Sequence, residues 1–238
     1  MSNPYFQFKQ FTVWHNRCAM KVGTDGVLLG AWAEVKNAYK ILDIGTGSGL
    51  IALMVAQRSA KAQIDAIDID EAAVAQAREN ILASPWNERI NLFHSSLQNY
   101  STHCTTRYDA IISNPPYFQK SLTSPDHKRT LARHNDTLSS ATLLENSLQL
   151  LSDKGILHLI LPIEKGEELI LQAKQLSLFC VRKTSVHPRA DKPAKRLLIS
   201  LQRHYSPCLE TLFAIETTER HVYTDEYIRM TDAFYINM

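Results

Sequence analysis

From about residue 39 the chain alternates short apolar runs with longer stretches in which apolar positions recur every three or four residues. The runs YKILDI (39–44), QIDAIDI (63–69), INLFH (90–94), YDAIIS (108–113) and GILHLILP (155–162) predict buried strands. Between them the spacing predicts helices from Ser48 to about Arg58 and over 70–84, 139–151 and 164–176. Asp70 stands where an N-cap belongs, with Glu71 in the first turn behind it. Two more β-rich runs, 178–188 and 196–203, follow one another with no helix between them, which predicts an antiparallel hairpin at the sheet edge. Tyr223, Tyr227, Met230 and Phe234 fall at i, i+4, i+7 and i+11, the docking face of a helix capped by Thr224.

Strands alternating with helices imply an α/β fold, a doubly wound and mostly parallel sheet covered on both faces. No repeat, low-complexity tract or Gly/Ser linker interrupts the pattern. A single domain over 1–238 is expected, with 1–38 as an N-terminal extension and 204–238 as a C-terminal docking tail.

Composition adds exclusions. The balance of 45% hydrophobic and 21% charged residues is that of an ordinary globular chain. The four cysteines, at 18, 104, 180 and 208, form no CxxC pair, and no HxxxH or Cys/His cluster exists, so reduced thiols and no metal are expected. The N-terminus MSNPYFQFKQF lacks the charged head and apolar core of a signal peptide, and no apolar run approaches a membrane span. A soluble cytoplasmic protein with no membrane partner is the plain expectation. The oligomeric state stays open, with a monomer the simpler case.

The net charge of +2 hides a segregation. Residues 182–203 carry seven Lys/Arg against Asp191, a net +6, while 205–238 carry a net −4. A basic stretch of this kind serves either as a phosphate-binding face or as a solvated loop.

Two motifs carry candidate chemistry. ILDIGTGSGL (41–50) places Gly45, Thr46, Gly47 and Gly49 where the first strand turns into a helix, with Asp43 at the strand tip. Open α/β sheets bind ligands at such a tip. A dinucleotide fingerprint wants a small third residue where Leu50 stands, and a P-loop wants a following Lys, which is absent. An acid before the turn and no phosphate-binding lysine suit a ligand with a cationic centre and no phosphate chain, such as S-adenosylmethionine. Asp68 ends the second strand 19 residues beyond Gly49, near the spacing at which an acid bonds ribose hydroxyls. Asp70 competes for that role.

The second motif, SNPPYF (113–118), leaves the fourth strand at the same sheet edge. The Asn114 side-chain oxygen and the Pro115 carbonyl can accept both N–H bonds of an exocyclic amine conjugated to a ring. Pro115 and Pro116 restrict the backbone and bring no competing N–H, and Tyr117 offers a face for a flipped base. Such a site works by positioning and electrostatics rather than by a strong base. Read alone, the stretch is also a proline-rich exit with a buried tyrosine.

Together the two motifs resemble the class I S-adenosylmethionine-dependent methyltransferases of the N-P-P-Y amino-methylating group, over residues about 20–203. The resemblance implies a Rossmann-like seven-stranded sheet with its last strand antiparallel. It implies that Gly45–Gly49 form the cofactor loop, Asp68 the ribose acid and Asn114–Tyr117 the catalytic tetrapeptide, with Asn114 also touching the cofactor. Where the family's third motif has an acid for the cofactor adenine, this chain reads HSSLQN, so Ser96 or a backbone group takes its place. KVGTDG (21–26) resembles the family's amino-terminal motif at the methionine end of the cofactor, with Thr24 or Asp25 capping a helix Val27–Ala33.

With ARHND (132–136) and EYIRMTDAFY (226–235), the chain resembles one subfamily. Its members are the bacterial tRNA methyltransferases that form N6-methyladenosine at position 37 of a valine tRNA. That resemblance implies a tRNA partner, and the charge distribution points to Arg189, Lys192, Lys195 and Arg196 and to Lys120, Lys128, Arg129 and Arg133 as the surface that grips its phosphates. His134 reads either as a core or as a catalytic histidine. Ribosomal RNA guanine N2-methyltransferases and release-factor glutamine methyltransferases share the core and are the rival enzymes, though only about 38 residues precede the first strand, too few for the latter's helical domain. An inactive cofactor- and RNA-binding scaffold is the rival of another class.

Overall fold

The computed structural model describes residues 3–18, 20–116 and 138–237. Its centre is an eight-stranded sheet in the order β10-β8-β9-β7-β6-β3-β4-β5. The strands are β3 (Lys40–Ile44), β4 (Gln63–Asp68), β5 (Ile90–His94), β6 (Tyr108–Ser113), β7 (Leu151–Pro162), β8 (Phe179–Arg189), β9 (Arg196–Gln202) and β10 (Leu209–Glu216). A separate antiparallel hairpin joins β1 (Tyr5–Gln7) to β2 (Thr12–Trp14). All pairings in the large sheet are parallel except those of β9 with β7 and β8.

Alternate side chains of each strand enter different cores. Ile41, Ala110, Ile112 and Leu198 pack on one face with α1 (Thr24–Trp32), α2 (Leu50–Arg58) and α3 (Glu71–Leu82). Leu42, Ile111, Leu157 and Ile199 pack on the other with α4 (Leu97–His103), α5 (Ser140–Leu150) and α6 (Ile163–Gln175). A strand buried on both faces must be apolar at successive positions, which is why KILDI and DAIIS read as continuous runs.

The expected doubly wound, mostly parallel sheet is present, with differences in detail. It carries eight strands, and the β8–β9 hairpin lies one strand in from the edge, because β10 adds in parallel to β8 with Leu209 opposite Arg182. The strand expected from Gly155 begins at Leu151. Its register with β6 shifts between Tyr108 and Ala110, and a Cβ on Gly155 would lie 2.4 Å from the Tyr108 carbonyl oxygen. The bulge there needs a residue without a side chain.

The helix expected from Ser48 starts at Leu50, since Gly49 is its N-cap at φ +83°. Asp70 caps α3 as expected, its side chain accepting from Ala72 N. Thr224 caps α7 (Asp225–Thr231), and Tyr227 and Phe234 are buried. The helix expected over Val27–Ala33 spans Thr24–Trp32 instead, behind an extended Gly23 with no side-chain cap. Thr24 and Asp25 are therefore first-turn residues.

The two ends of the chain meet. Lys9 N donates to Phe234 O at 2.7 Å, Lys9 Nζ pairs with Asp232 at 2.9 Å, and Phe8 stacks on Tyr235. Among the described residues no helix is long and apolar enough to cross a membrane.

Candidate active site

Strand register brings the two motifs together. Ile44 of β3 lies opposite Ser113 of β6 on one side and Ile67 of β4 on the other. One residue further on, Gly45 and Asn114 leave the sheet abreast of Asp68, the last residue of β4. Ser113 Oγ donates to the Ile44 carbonyl at 2.9 Å and fixes that register at the tip. This is the crevice where the winding of an α/β sheet reverses, with β4 and β5 to one side and β6 and β7 to the other.

The glycine loop folds back over β4: Gly45 N and Thr46 N both donate to Ile67 O, at 2.9 and 3.0 Å. Gly45 and Gly47 have φ of +69° and +55°, and a Cβ on either would meet nothing within 4 Å. These glycines answer to a left-handed backbone beside open space, the cradle a ligand would fill. Asp68 Oδ2 accepts from Gly47 N at 2.8 Å and Oδ1 from Asp70 N at 2.9 Å. Each oxygen keeps a second acceptor position, the capacity needed for ribose hydroxyls. Asp70 spends its carboxylate on the α3 cap.

Asp43 is fully buried beneath the loop. Its Oδ2 accepts from Thr46 Oγ1 at 2.6 Å and Ala52 N at 3.1 Å, while Oδ1 has no hydrogen-bond partner among the described residues. Burial pushes the carboxyl up to about 7, against the two hydrogen bonds that favour the charged form. An orphaned carboxylate oxygen under an open glycine loop fits a ligand that carries positive charge.

In front of the loop opens a cleft of about 570 Å³. Gly45, Thr46 and Gly47 form its floor, and Asn114, Pro115 and Pro116 one side. Thr24 and Asp25, at the start of α1, line it as well, together with Lys195 and Arg196. Arg196 Nε donates to Asp25 Oδ2 at 2.8 Å, so the basic loop is latched to the amino-terminal motif.

Other expected site residues fall elsewhere. Asp43, Gly49 and Asp68 lie behind the lining rather than in it. Ser96 also lies outside the lining; its Oγ accepts from Asn99 N at 3.2 Å and caps α4. Arg189 forms a two-pronged pair with Asp191, which also lies 3.7 Å from Lys192. Tyr117, Lys120, Lys128, Arg129, Arg133, His134 and the ARHND stretch lie outside the described residues.

The cleft also has walls that the motifs did not announce. Met20, Val186, Pro188 and Ile215 line it. Val186 carries no signal beyond β propensity, Pro188 only ends the β-rich run 178–188, and Ile215 sits in a segment for which no strand is expected. Among the described residues no cluster of three or more His, Cys, Asp or Glu could hold a metal ion.

The model of the methyltransferase small domain matches residues 21–175. A tRNA1(Val) (adenine(37)-N6)-methyltransferase of Parabacteroides distasonis is 52% identical over 238 residues, covering all of both chains. The proteins of that name from Bacteroides thetaiotaomicron and Aeromonas hydrophila are 45% and 47% identical, covering 100% and 99% of both chains. Among solved structures, one from Agrobacterium tumefaciens described as a predicted O-methyltransferase superposes with a TM-score of 0.71 at 19% identity, covering 88% of this chain and 96% of that one. NSun6 from Pyrococcus horikoshii superposes with a TM-score of 0.59 at 14% identity, covering 78% of this chain and 53% of that one. At these identities the structural likeness shows the fold alone.

Proposed function

The chain belongs to the methyltransferase small-domain family, and from that premise we propose that it methylates the exocyclic N6 amine of adenine in tRNA, at adenine 37 of a valine tRNA. The observation that carries the reading is the strand register that sets Asn114 abreast of Gly45 and Asp68 at one cleft, in a chain alignable end to end with tRNA1(Val) (adenine(37)-N6)-methyltransferases. S-adenosylmethionine is the cofactor, and when bound it supplies an electrophilic methyl group on a cationic sulfur.

The chain's own residues do the rest. Gly45, Thr46, Gly47 and Gly49 cradle the cofactor, Asp68 takes its ribose hydroxyls, and Asp43 answers its positive charge. Thr24 and Asp25 close the methionine end, and Ser96 or a neighbouring backbone group meets the adenine. Asn114 Oδ1 and the Pro115 carbonyl accept the two N–H bonds of the target amine and turn its lone pair toward the methyl. Pro115 is buried, and Pro116, at the rim, offers no N–H to compete. Tyr117 stacks on the flipped base. The proton leaves to solvent after transfer, so positioning supplies the rate. Lys120, Lys128, Arg129, Arg133, Arg189, Lys192, Lys195 and Arg196 meet tRNA phosphates.

The enzyme acts in the cytoplasm as a monomer, one catalytic domain with 1–38 as its N-terminal extension and 204–238 as its docking tail. Nucleoside mass spectrometry tests the reading on tRNA from a strain lacking this gene, incubated with S-adenosylmethionine and either wild type or Asn114→Ala. New N6-methyladenosine from wild type alone is the expected result. Methylguanosine on ribosomal RNA would move the substrate, and no transfer to any RNA would overturn the proposal.

A further inference from the structure

The buried face of α3 carries a polar side chain whose hydrogen bonds all leave the helix. Asn80 is 1% exposed. Its Oδ1 accepts from Trp14 N at 2.9 Å, and its Nδ2 donates to Trp14 O and to Ser48 O, both at 2.8 Å. Two carbonyls and one N–H fix the amide's orientation. Toward Trp14 it acts as a neighbouring strand would, closing both backbone groups of the last residue of β2. Its remaining N–H holds the glycine loop one residue before the left-handed Gly49.

The segment beyond Trp14 gives the link a purpose. His15 is buried, with its ring nitrogens against Asn3 O at 3.0 Å and Val22 N at 3.4 Å. The chain it anchors continues to Met20 and Lys21, which line the cleft. The Cys18 thiol within it is pushed up to about 11 by burial and by the charges of Asp68 and Asp70. The glycine loop and, further along from Trp14, Met20 and Lys21 all line the cleft, and the same amide bonds to the loop at Ser48 and to the hairpin's last residue, Trp14.

We propose that Asn80 is a positioning residue for cofactor binding, holding the glycine loop and the exit of the N-terminal hairpin in register from one point on α3. The proposal rests on the assignment of S-adenosylmethionine to this cleft. No other side chain reproduces the bonds. Aspartate keeps the acceptor but turns an oxygen toward the Trp14 and Ser48 carbonyls, and alanine removes the partner of three backbone groups, of which the Ser48 carbonyl bond is buried.

The test compares wild type with Asn80→Asp and Asn80→Ala. Leu169→Ala, in the core across the sheet, serves as a control that loses stability without touching the loop or the hairpin. The readouts are S-adenosylhomocysteine affinity by calorimetry and amide hydrogen exchange of peptides covering 12–22 and 45–50. The expected result is a loss of affinity of roughly tenfold or more in both Asn80 variants, the scale of one lost hydrogen bond. Both peptides should exchange faster together, while Leu169→Ala binds like wild type at a lowered unfolding temperature. Unchanged affinity in the Asn80 variants, or loosening of one peptide without the other, would overturn the proposal. Failure of wild type to bind S-adenosylhomocysteine would overturn the cofactor assignment instead, and the exchange of the two peptides would still decide the coupling.

Discussion

Asp43→Asn keeps the size of a buried side chain and removes its titration, so it isolates what the orphaned oxygen does. The wild-type carboxyl titrates at about 7 because burial disfavours its charge. A cationic ligand seated in the cleft above the glycine loop favours the carboxylate beneath it, so binding must displace a proton wherever the free protein holds one. Apparent affinity then falls with acid as one plus ten to the power of seven minus pH. Relative to pH 8, binding weakens about twofold at pH 7 and about tenfold at pH 6. Calorimetry with S-adenosylmethionine, in two buffers of different ionisation enthalpy, reads both the affinity and about one proton released at pH 6.

The unbound protein should show the opposite slope. A carboxyl raised above its unfolded value of about 4 binds more protons folded than unfolded, so its contribution is fully present below pH 4 and lost as pH rises toward 7. Asp43→Asn should flatten both trends. A wild-type affinity that stays level from pH 8 to 6, or the same slope in Asp43→Asn, would refute the reasoning.

Asn114→Ala should lower kcat by roughly a hundredfold or more and S-adenosylhomocysteine affinity by much less, since the acceptor it removes serves the amine more than the cofactor; a matching loss of cofactor affinity would make Asn114 a cofactor contact alone. Lys195→Ala should weaken tRNA binding and reduce the slope of log affinity against log salt by about one. An unchanged slope would remove Lys195 from the phosphate contacts. Thr224→Ala should cost about 1 kcal/mol by uncapping α7, seen as a fall of about 2–4 °C in Tm, and no change would make the cap dispensable. His158 is fully buried and its ring is pushed down to about 3, so it stays neutral in the fold while the unfolded chain takes a proton below about 6.5. Stability should therefore fall as pH drops from 6.5 toward 4, and His158→Gln should lose less over that interval in urea titrations than wild type.

The elements legible in the sequence were those with a long period or a strong cap. α3 showed both, with Ala73, Val74, Ala77 and Ile81 on its buried face and Asp70 at its start, and β3 and β6 showed continuous apolar runs. The elements that escaped are short or held by partners far away in sequence. β1 and β2 have three residues each, too few for alternation, and they exist because aromatic side chains such as Phe8 and Phe11 pack together and Asn80 closes Trp14. β10 begins LETL, with its first four residues exposed, and owes its place to the open edge of β8. α4 is seven mostly polar residues made helical by the Ser96 cap and by Leu97 against the core.

The site divides along the same line. Its glycines and its Asn-Pro-Pro run mark local backbone demands, so they are visible as motifs; which charges face the ligand depends on pairings the sequence does not order. Of the seven cations in 182–203, Arg182 pairs with Glu34, Lys183 with Glu167 and Glu210, Arg189 and Lys192 with Asp191, and Arg196 with Asp25. Arg203 donates to the Leu148 and Leu151 carbonyls. Among the described residues Lys195 is the member of the seven with neither an ion pair nor a side-chain hydrogen bond, and it stands exposed at the cleft. A local charge of +6 therefore amounts to far fewer cations ready for phosphate. Arg196→Glu would also set a carboxylate against Asp25 in the cofactor wall, so Lys195 alone gives a clean reading of RNA contact. A salt slope much steeper than a few contacts explain would then have to draw on the basic stretch 120–134, just beyond Pro116 in the chain.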